Sequence, residues 1–187
     1  MFAGHFALAA IVKTKQKQVP LWVLMLSTQW LDILFVVFML SGVEKMTKVG
    51  EGNYGANLIY AGYSHSLLTV VLFSLIMFFI TKNRWGSKGA LTVAGLNFSH
   101  WLLDLLVHRP DLPILPGNIG HFPLLGFGLW TSPITAACVE GILILLAIIL
   151  YGKYTYRMGG STRFSWLNSG VMGLALILSM VSDFLGI

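Results

Sequence analysis

Apolar residues run through this chain in long blocks, and the block lengths predict its elements. Leu21–Val43, Ser64–Ile80, residues 89–108, Leu129–Tyr151 and Phe164–Leu185 are almost unbroken apolar runs. Each is close to the roughly 20 residues a helix needs to cross about 30 Å of hydrocarbon. Pro20 precedes the first run, at a helix start where proline is tolerated. Residues 2–12 form a sixth apolar run, but at 1.5 Å per residue they reach only about 17 Å. They read as a half-inserted helix whose open backbone the other helices must cover.

The intervening segments are of two kinds. Lys13, Lys15 and Lys17, then Lys82, Arg84 and Lys88, then Lys153, Arg157 and Arg163 make short basic clusters. Residues 44–62 read as a polar loop containing Gly and Asn. Residues 109–129 hold four of the six prolines and read as an irregular loop, with Phe122, Leu124, Leu125 and Phe127 suited to an interface. The three-charge clusters alternate with these poorer loops, which places the clusters on the cytoplasmic side. Trp22, Trp85 and Trp166 at cytoplasmic ends and Trp130 at an outer end fit aromatic belts.

Composition agrees with this pattern. The chain has 187 residues, is 56% hydrophobic and only 10% charged, with a mean hydropathy of +0.79. A soluble domain carries about 25% charged residues, so too few are present here to cover a water-facing surface. The reading is an all-α integral membrane protein, a single domain over residues 1–187, with five transmembrane helices and the short N-terminal half-helix. The net charge of +5 sits in loops facing anionic lipid, so a nucleic-acid partner is not expected. Cys138 is the only cysteine, which excludes an intrachain disulfide and a cysteine metal cluster. The start lacks a basic region ahead of its apolar run, so no cleavable signal peptide is expected. Helix contacts are expected at small residues such as Ala94, Gly95 and Ser99.

The chemistry lies in the ionisable residues within the apolar runs. His100, Asp104 and His108 recur every four residues and so share one helix face. His65 stands at the head of its run, Asp32 near the middle of the first, and Glu140 about 16 Å below the start of the fourth. With His5 on the half-helix, these groups reach a common depth in the outer half of the bundle. Intramembrane charges are costly and need compensation. Imidazole and carboxylate together suit zinc, with iron or manganese as alternatives. The expected ligands are His5, His65, His100, Asp104 and His108. Asp32 or Glu140 would serve as a further ligand, a supporting partner or a general base. Arg109 is positioned to hold an anionic head group. Asp183 is expected at an interface, and His121 in a loop.

At these residues the chain resembles a family of bacterial membrane-bound, metal-dependent hydrolase-like proteins of the inner membrane. The resemblance rests on Gly4-His5 before a short apolar stretch, on Trp30-Leu31-Asp32-Ile33 where the family has an aspartate-rich motif closing an early helix, and on Ser64-His65-Ser66-Leu67-Leu68. It continues with Ser99-His100, three residues, Asp104, and a Pro-rich stretch from Pro110 to Pro116. It covers roughly the first 116 residues. Two departures stand out. The family's Asp-x-Asp-His is reduced to Asp32, and its His-Arg-Gly is replaced by Tyr60-Ala61-Gly62-Tyr63; both remove ligands that a two-metal site would use. The resemblance implies a multi-pass protein of the bacterial inner membrane.

The leading expectation is a metal-dependent hydrolase acting on a lipid-like ester or phosphodiester, with membrane lipid as partner. A metal-ion or proton transporter or channel is the rival from another class, since such pathways also carry midplane carboxylates and histidines. A pathway needs polar groups through the inner half as well. A third reading, a non-catalytic lipid-binding scaffold, predicts no bound metal.

Overall fold

The computed structural model describes residues 1–48, 57–158 and 162–185. The centre of the polar 44–62 loop and residues 159–161 of the last basic loop lie outside the described residues. The architecture is all-helical apart from one small hairpin. Helix α1 spans Phe2–Lys13, α2 Leu21–Leu40, α3 Leu67–Val107, α4 Pro133–Arg157 and α5 Thr162–Leu185. Four of these, α2 to α5, are long and apolar enough to cross a membrane, the mark of an integral membrane protein.

The 41-residue α3 does not run straight. Gly86 breaks it with φ 65° and ψ 178°, a conformation close to glycine-only. The chain folds back there. Asn97 Nδ2 donates to Ser74 Oγ at 2.9 Å, and Trp101 Nε1 donates to the His65 carbonyl at 2.9 Å. Both bonds require the two arms to lie side by side in opposite directions. The second arm therefore carries His100 and Asp104 back to the level at which the first arm begins.

Helix α1 occupies the middle of the bundle, against α2, α4 and α5. Its sequence explains this position. Ala3, Ala7 and Ala10 form a small-residue stripe that lets Ile144, Ala147 and Leu176 approach closely. Ala9 faces the other way, into a cluster with Val19, Val23, Leu24, Val93 and Leu96. At Gly4 an added methyl would lie 3.0 Å from Met1 Cε and 3.4 Å from Glu140 Oε1, so this position is close to its volume limit. These alanines carry the close contacts, and Ala94 is buried as well. Gly95 does not; it is exposed, with nothing beside it.

Helix boundaries differ from the apolar runs where local bonding decides them. The first arm of α3 starts at Leu67 because the Ser66 hydroxyl caps it, accepting from the Thr69 N–H at 3.2 Å. His65 consequently precedes the helix instead of sitting in its first turn. Part of the expected 44–62 loop is an antiparallel hairpin, β1 (Lys45–Lys48) with β2 (Asn57–Tyr60), with Lys45 opposite Tyr60. The Lys45 ammonium stands over the Tyr60 ring at 4.9 Å. The expected loop 109–129 runs on to residue 132, with single 3₁₀ turns at Pro116–Asn118 and Leu129–Thr131 and a Leu112–Leu125 bridge, so the fourth apolar run is α-helical only from Pro133. The loop docks on the head of α3 by the Leu67 N–H to Pro113 and Leu68 N–H to Ile114 carbonyl bonds, both 3.0 Å.

Candidate metal centre

Five side chains from four segments meet at the top of α1. His5 comes from α1, Asp32 from α2, His65 from the turn before α3, and His100 and Asp104 from the returning arm. His5, His65, His100 and Asp104 are almost fully buried, while the Asp32 side chain keeps 31% of its surface exposed. Asp104 is the hub. Its Oδ1 lies 3.2 Å from His5 Nε2, and its Oδ2 lies 3.0 Å from His100 Nε2, 3.5 Å from His65 Nε2 and 4.0 Å from His108 Nε2. Asp32 Oδ1 is 3.6 Å from both His65 Nε2 and His100 Nε2. The His5 and His100 rings stack at 3.8 Å with 10° between their planes.

Which nitrogen of each ring faces the centre follows from what holds the other. His100 Nδ1 is bonded to the Thr28 carbonyl, which can only accept, so Nδ1 carries the hydrogen. Asp111 does the same for His108 Nδ1, at 2.8 Å. For His65 the restraint is one step longer. The Ser64 hydroxyl donates to Glu44 Oε2 at 2.7 Å, so it can only accept from His65 Nδ1, 2.8 Å away. Glu44 is fixed in turn by the N–H groups of Tyr63 and Ser64, at 2.7 and 2.9 Å. All three rings therefore present Nε2 lone pairs inward, the arrangement that orienting partners impose on metal-binding histidines.

That arrangement is unstable without positive charge. His65 Nε2 and His100 Nε2 are 3.2 Å apart, and with both Nδ1 atoms committed as donors, lone pair faces lone pair. Two carboxylates add further acceptors. The Met1 amino group stands 4.0 Å from Asp104 Oδ1, but it does not come between the two facing imidazoles, and only a cation or additional protons reconcile those. The spacing tests which fits. Four ligands at about 2.1 Å around a tetrahedral ion lie about 3.4 Å from one another. The five distances among His65, His100, Asp104 and Asp32 above run from 3.0 to 3.6 Å. Two sets, His5 with His100 and Asp104, and Asp32 with His65 and His100, each bring three ligand atoms within 4.8 Å of one another. Both use the single inward nitrogen of His100, so one ion satisfies the geometry better than two.

The centre opens onto a cavity of about 290 Å³ lined by Asp32, His65, Asp104, His108, Asp183 and His5, with Phe35 and Trp130 among its walls. Asp183, expected at an interface, instead borders this cavity. His108 lines the same cavity, its ring tilted 42° against Trp130 with the centroids 4.6 Å apart. Comparison of the chain with protein-family models, curated proteins and solved structures returned no match.

Two expected residues lie elsewhere. Glu140 is fully buried, but its Oε1 accepts from the Gly4 N–H at 2.7 Å. It serves the amino end of α1, where backbone N–H groups lack helical partners and favour a carboxylate. Arg109 does not line the cavity; its Nη1 donates to the Asn57 carbonyl at 3.3 Å and ties down the hairpin. Three contributors carry no distinct signal in the sequence. Glu44 falls in the polar 44–62 segment, Asp111 in the Pro-rich 109–129 segment, and the Thr28 group is a backbone carbonyl. For Glu44 a hint existed, since Ser64-His65 needs an orienting acid and few are available.

Proposed function

We propose that the protein is a metal-dependent hydrolase of the membrane with a single-ion centre, acting on a lipid-like ester or phosphodiester. The observation that supports this reading most is the convergence of the oriented Nε2 atoms of His65 and His100 with Asp104 Oδ2, 3.0–3.5 Å from one another, with the Asp32 carboxylate beside them. His65, His100 and Asp104 would hold the ion, with His5 beside them and zinc, iron or manganese as its identity. Such an ion lowers the pKa of a bound water toward neutrality and polarises an ester or phosphoryl oxygen. Asp32 and Asp104 both line the cavity, but Asp32 is the exposed one of the two, 31% against 4%, so it takes the role of general base. Glu140, tied to the α1 backbone, holds His5 in place through its helix and is a positioning residue. The reversal at Gly86 gives α3 two crossings, so the proposed topology has five spanning segments plus the half-helix. A bacterial inner-membrane location goes with the family resemblance.

The pathway alternative is disfavoured by what lies beneath the centre. Between it and the lysines after α1 stands the apolar cluster of Ala9, Val19, Val23, Leu24, Val93 and Leu96. An ion route would need polar groups there. Elemental analysis of the purified protein beside His100→Ala tests the centre. Near-stoichiometric zinc, iron or manganese lost in the variant is expected. Equal trace metal in both would leave protons as the compensating charge and end the hydrolase reading. Hydrolysis of a panel of lipid esters and phosphodiesters by the metal-loaded protein then tests catalysis.

A further inference from the structure

His108 lines the cavity, yet neither holding the ion nor removing a proton from water falls to it. Its placement begins with Pro110, since a proline discourages helix in the residues just before it. Helix α3 therefore stops at Val107, and His108 takes extended torsions, φ −60° and ψ 144°. The chain turns through Arg109 and Pro110 and brings Asp111 Oδ1 to 2.8 Å from His108 Nδ1. The loop beyond clamps this exit. The Gly128 N–H donates to the His108 carbonyl at 2.6 Å, and Trp130 lies against the ring.

The resulting pair is oriented but unspent. Asp111 accepts the Nδ1 hydrogen, which leaves the Nε2 lone pair free. Among the described residues Nε2 has no hydrogen-bond partner. Asp104 Oδ2 is 4.0 Å from it, past hydrogen-bond reach. His108 also belongs to neither of the three-ligand sets. The residue is only 3% exposed, and a buried acceptor left without a partner is costly. A carboxylate at Nδ1 is the way a catalytic imidazole is held in one tautomer and its imidazolium stabilised.

Hydrolysis needs two proton transfers. Attacking water must lose a proton, and the departing oxygen must gain one unless it is stable as an anion. Asp32 is placed for the first, which leaves the second without a donor.

We propose that His108, positioned by Asp111, is the general acid that protonates the leaving oxygen. This rests on the hydrolase reading and narrows its substrate class to esters of unactivated alcohols such as glycerol hydroxyls, whose alkoxides leave poorly. As the bond from carbonyl carbon or phosphorus to that oxygen breaks, the Nε2 hydrogen passes to the oxygen and the alcohol departs. The proton taken from water ends on Asp32. Solvent then carries a proton from Asp32 back to Nε2, and both residues are restored.

The test uses the full-length, zinc-loaded protein in detergent with two esters of one fatty acid. A p-nitrophenyl group leaves without a proton, whereas a glycerol group requires one. His108→Gln should lower the ratio of glycerol-ester to p-nitrophenyl-ester rates by about 100-fold or more. Asp111→Ala keeps the ring but frees it, and should lower the same ratio, so the test stands even where His108→Gln fails to fold. Both variants should retain the zinc that His100→Ala loses. A readout apart from activity comes from ¹⁵N shifts. On zinc addition the Nε2 signals of His65 and His100 should take the shift of a coordinated nitrogen, while His108 Nε2 keeps its own. An unchanged ratio in the folded variants, or a coordinated His108 Nε2, overturns the assignment and leaves the hydrolase. Native protein that binds zinc but cleaves neither ester ends the hydrolase reading, and the acid with it.

Discussion

Replacing Glu44 by Gln tests how the centre is oriented without touching a proposed ligand. Glu44 Oε1 takes the Tyr63 and Ser64 N–H groups, and Oε2 takes the Ser64 hydroxyl hydrogen. In the glutamine the amide oxygen satisfies the two N–H donors, so its NH₂ faces Ser64. The serine hydroxyl must then accept from that NH₂, and its own hydrogen turns to His65 Nδ1. The ring switches tautomer, and Nε2 becomes a donor that binds no ion. The number of hydrogen bonds is unchanged, so folding stability should move little. Loss of such an orienting partner typically costs 10- to 100-fold in metal affinity, or about 1.4–2.7 kcal/mol. Chelator competition on native and Glu44→Gln protein measures the first effect. ¹⁵N chemical shifts of His65 in metal-free protein report the tautomer directly. Affinity within about threefold of native, with an unchanged His65 tautomer, would refute the relay from Glu44 through Ser64.

Further outcomes follow from other contacts. Gly86→Ala meets no neighbouring atom, so its cost is backbone strain alone, about 1–3 kcal/mol, read as a lower Tm in detergent with metal content preserved. Glu140→Ala leaves the buried Gly4 N–H without its acceptor and should cost about 1–3 kcal/mol; a Tm equal to native would show that α1 is anchored by other means. Gly4→Val places a branched side chain against Met1 and Glu140, an overpacking expected to cost about 1–3 kcal/mol by the same measurement. Asp32→Asn should abolish lipid-ester hydrolysis while leaving most of the bound metal, and equal loss of both would make Asp32 chiefly a ligand.

Much of the molecule was legible because the membrane restricts what a sequence can do. The apolar runs marked helices α1, α2, α4 and α5 to within a few residues, and the i, i+4 spacing placed His100 and Asp104 on one face. Depth arithmetic brought Asp32, His65 and His5 to that level. It failed for Glu140 because depth does not fix azimuth. Glu140 sits near the same height but turns toward the backbone of α1. The hairpin hid because β1 and β2 are four residues each and carry Lys and Asn, a pattern that reads as loop. Arg109 failed for another reason, since a guanidinium beside Pro110 has many carbonyl acceptors within reach and sequence does not choose among them.

The shortness of α1 bears on how the protein matures. Twelve residues cannot hold themselves across a bilayer, so this helix has no berth of its own until its longer neighbours are in place. His5 travels with it, and the cluster around Asp104 is therefore complete only when the bundle has closed around α1.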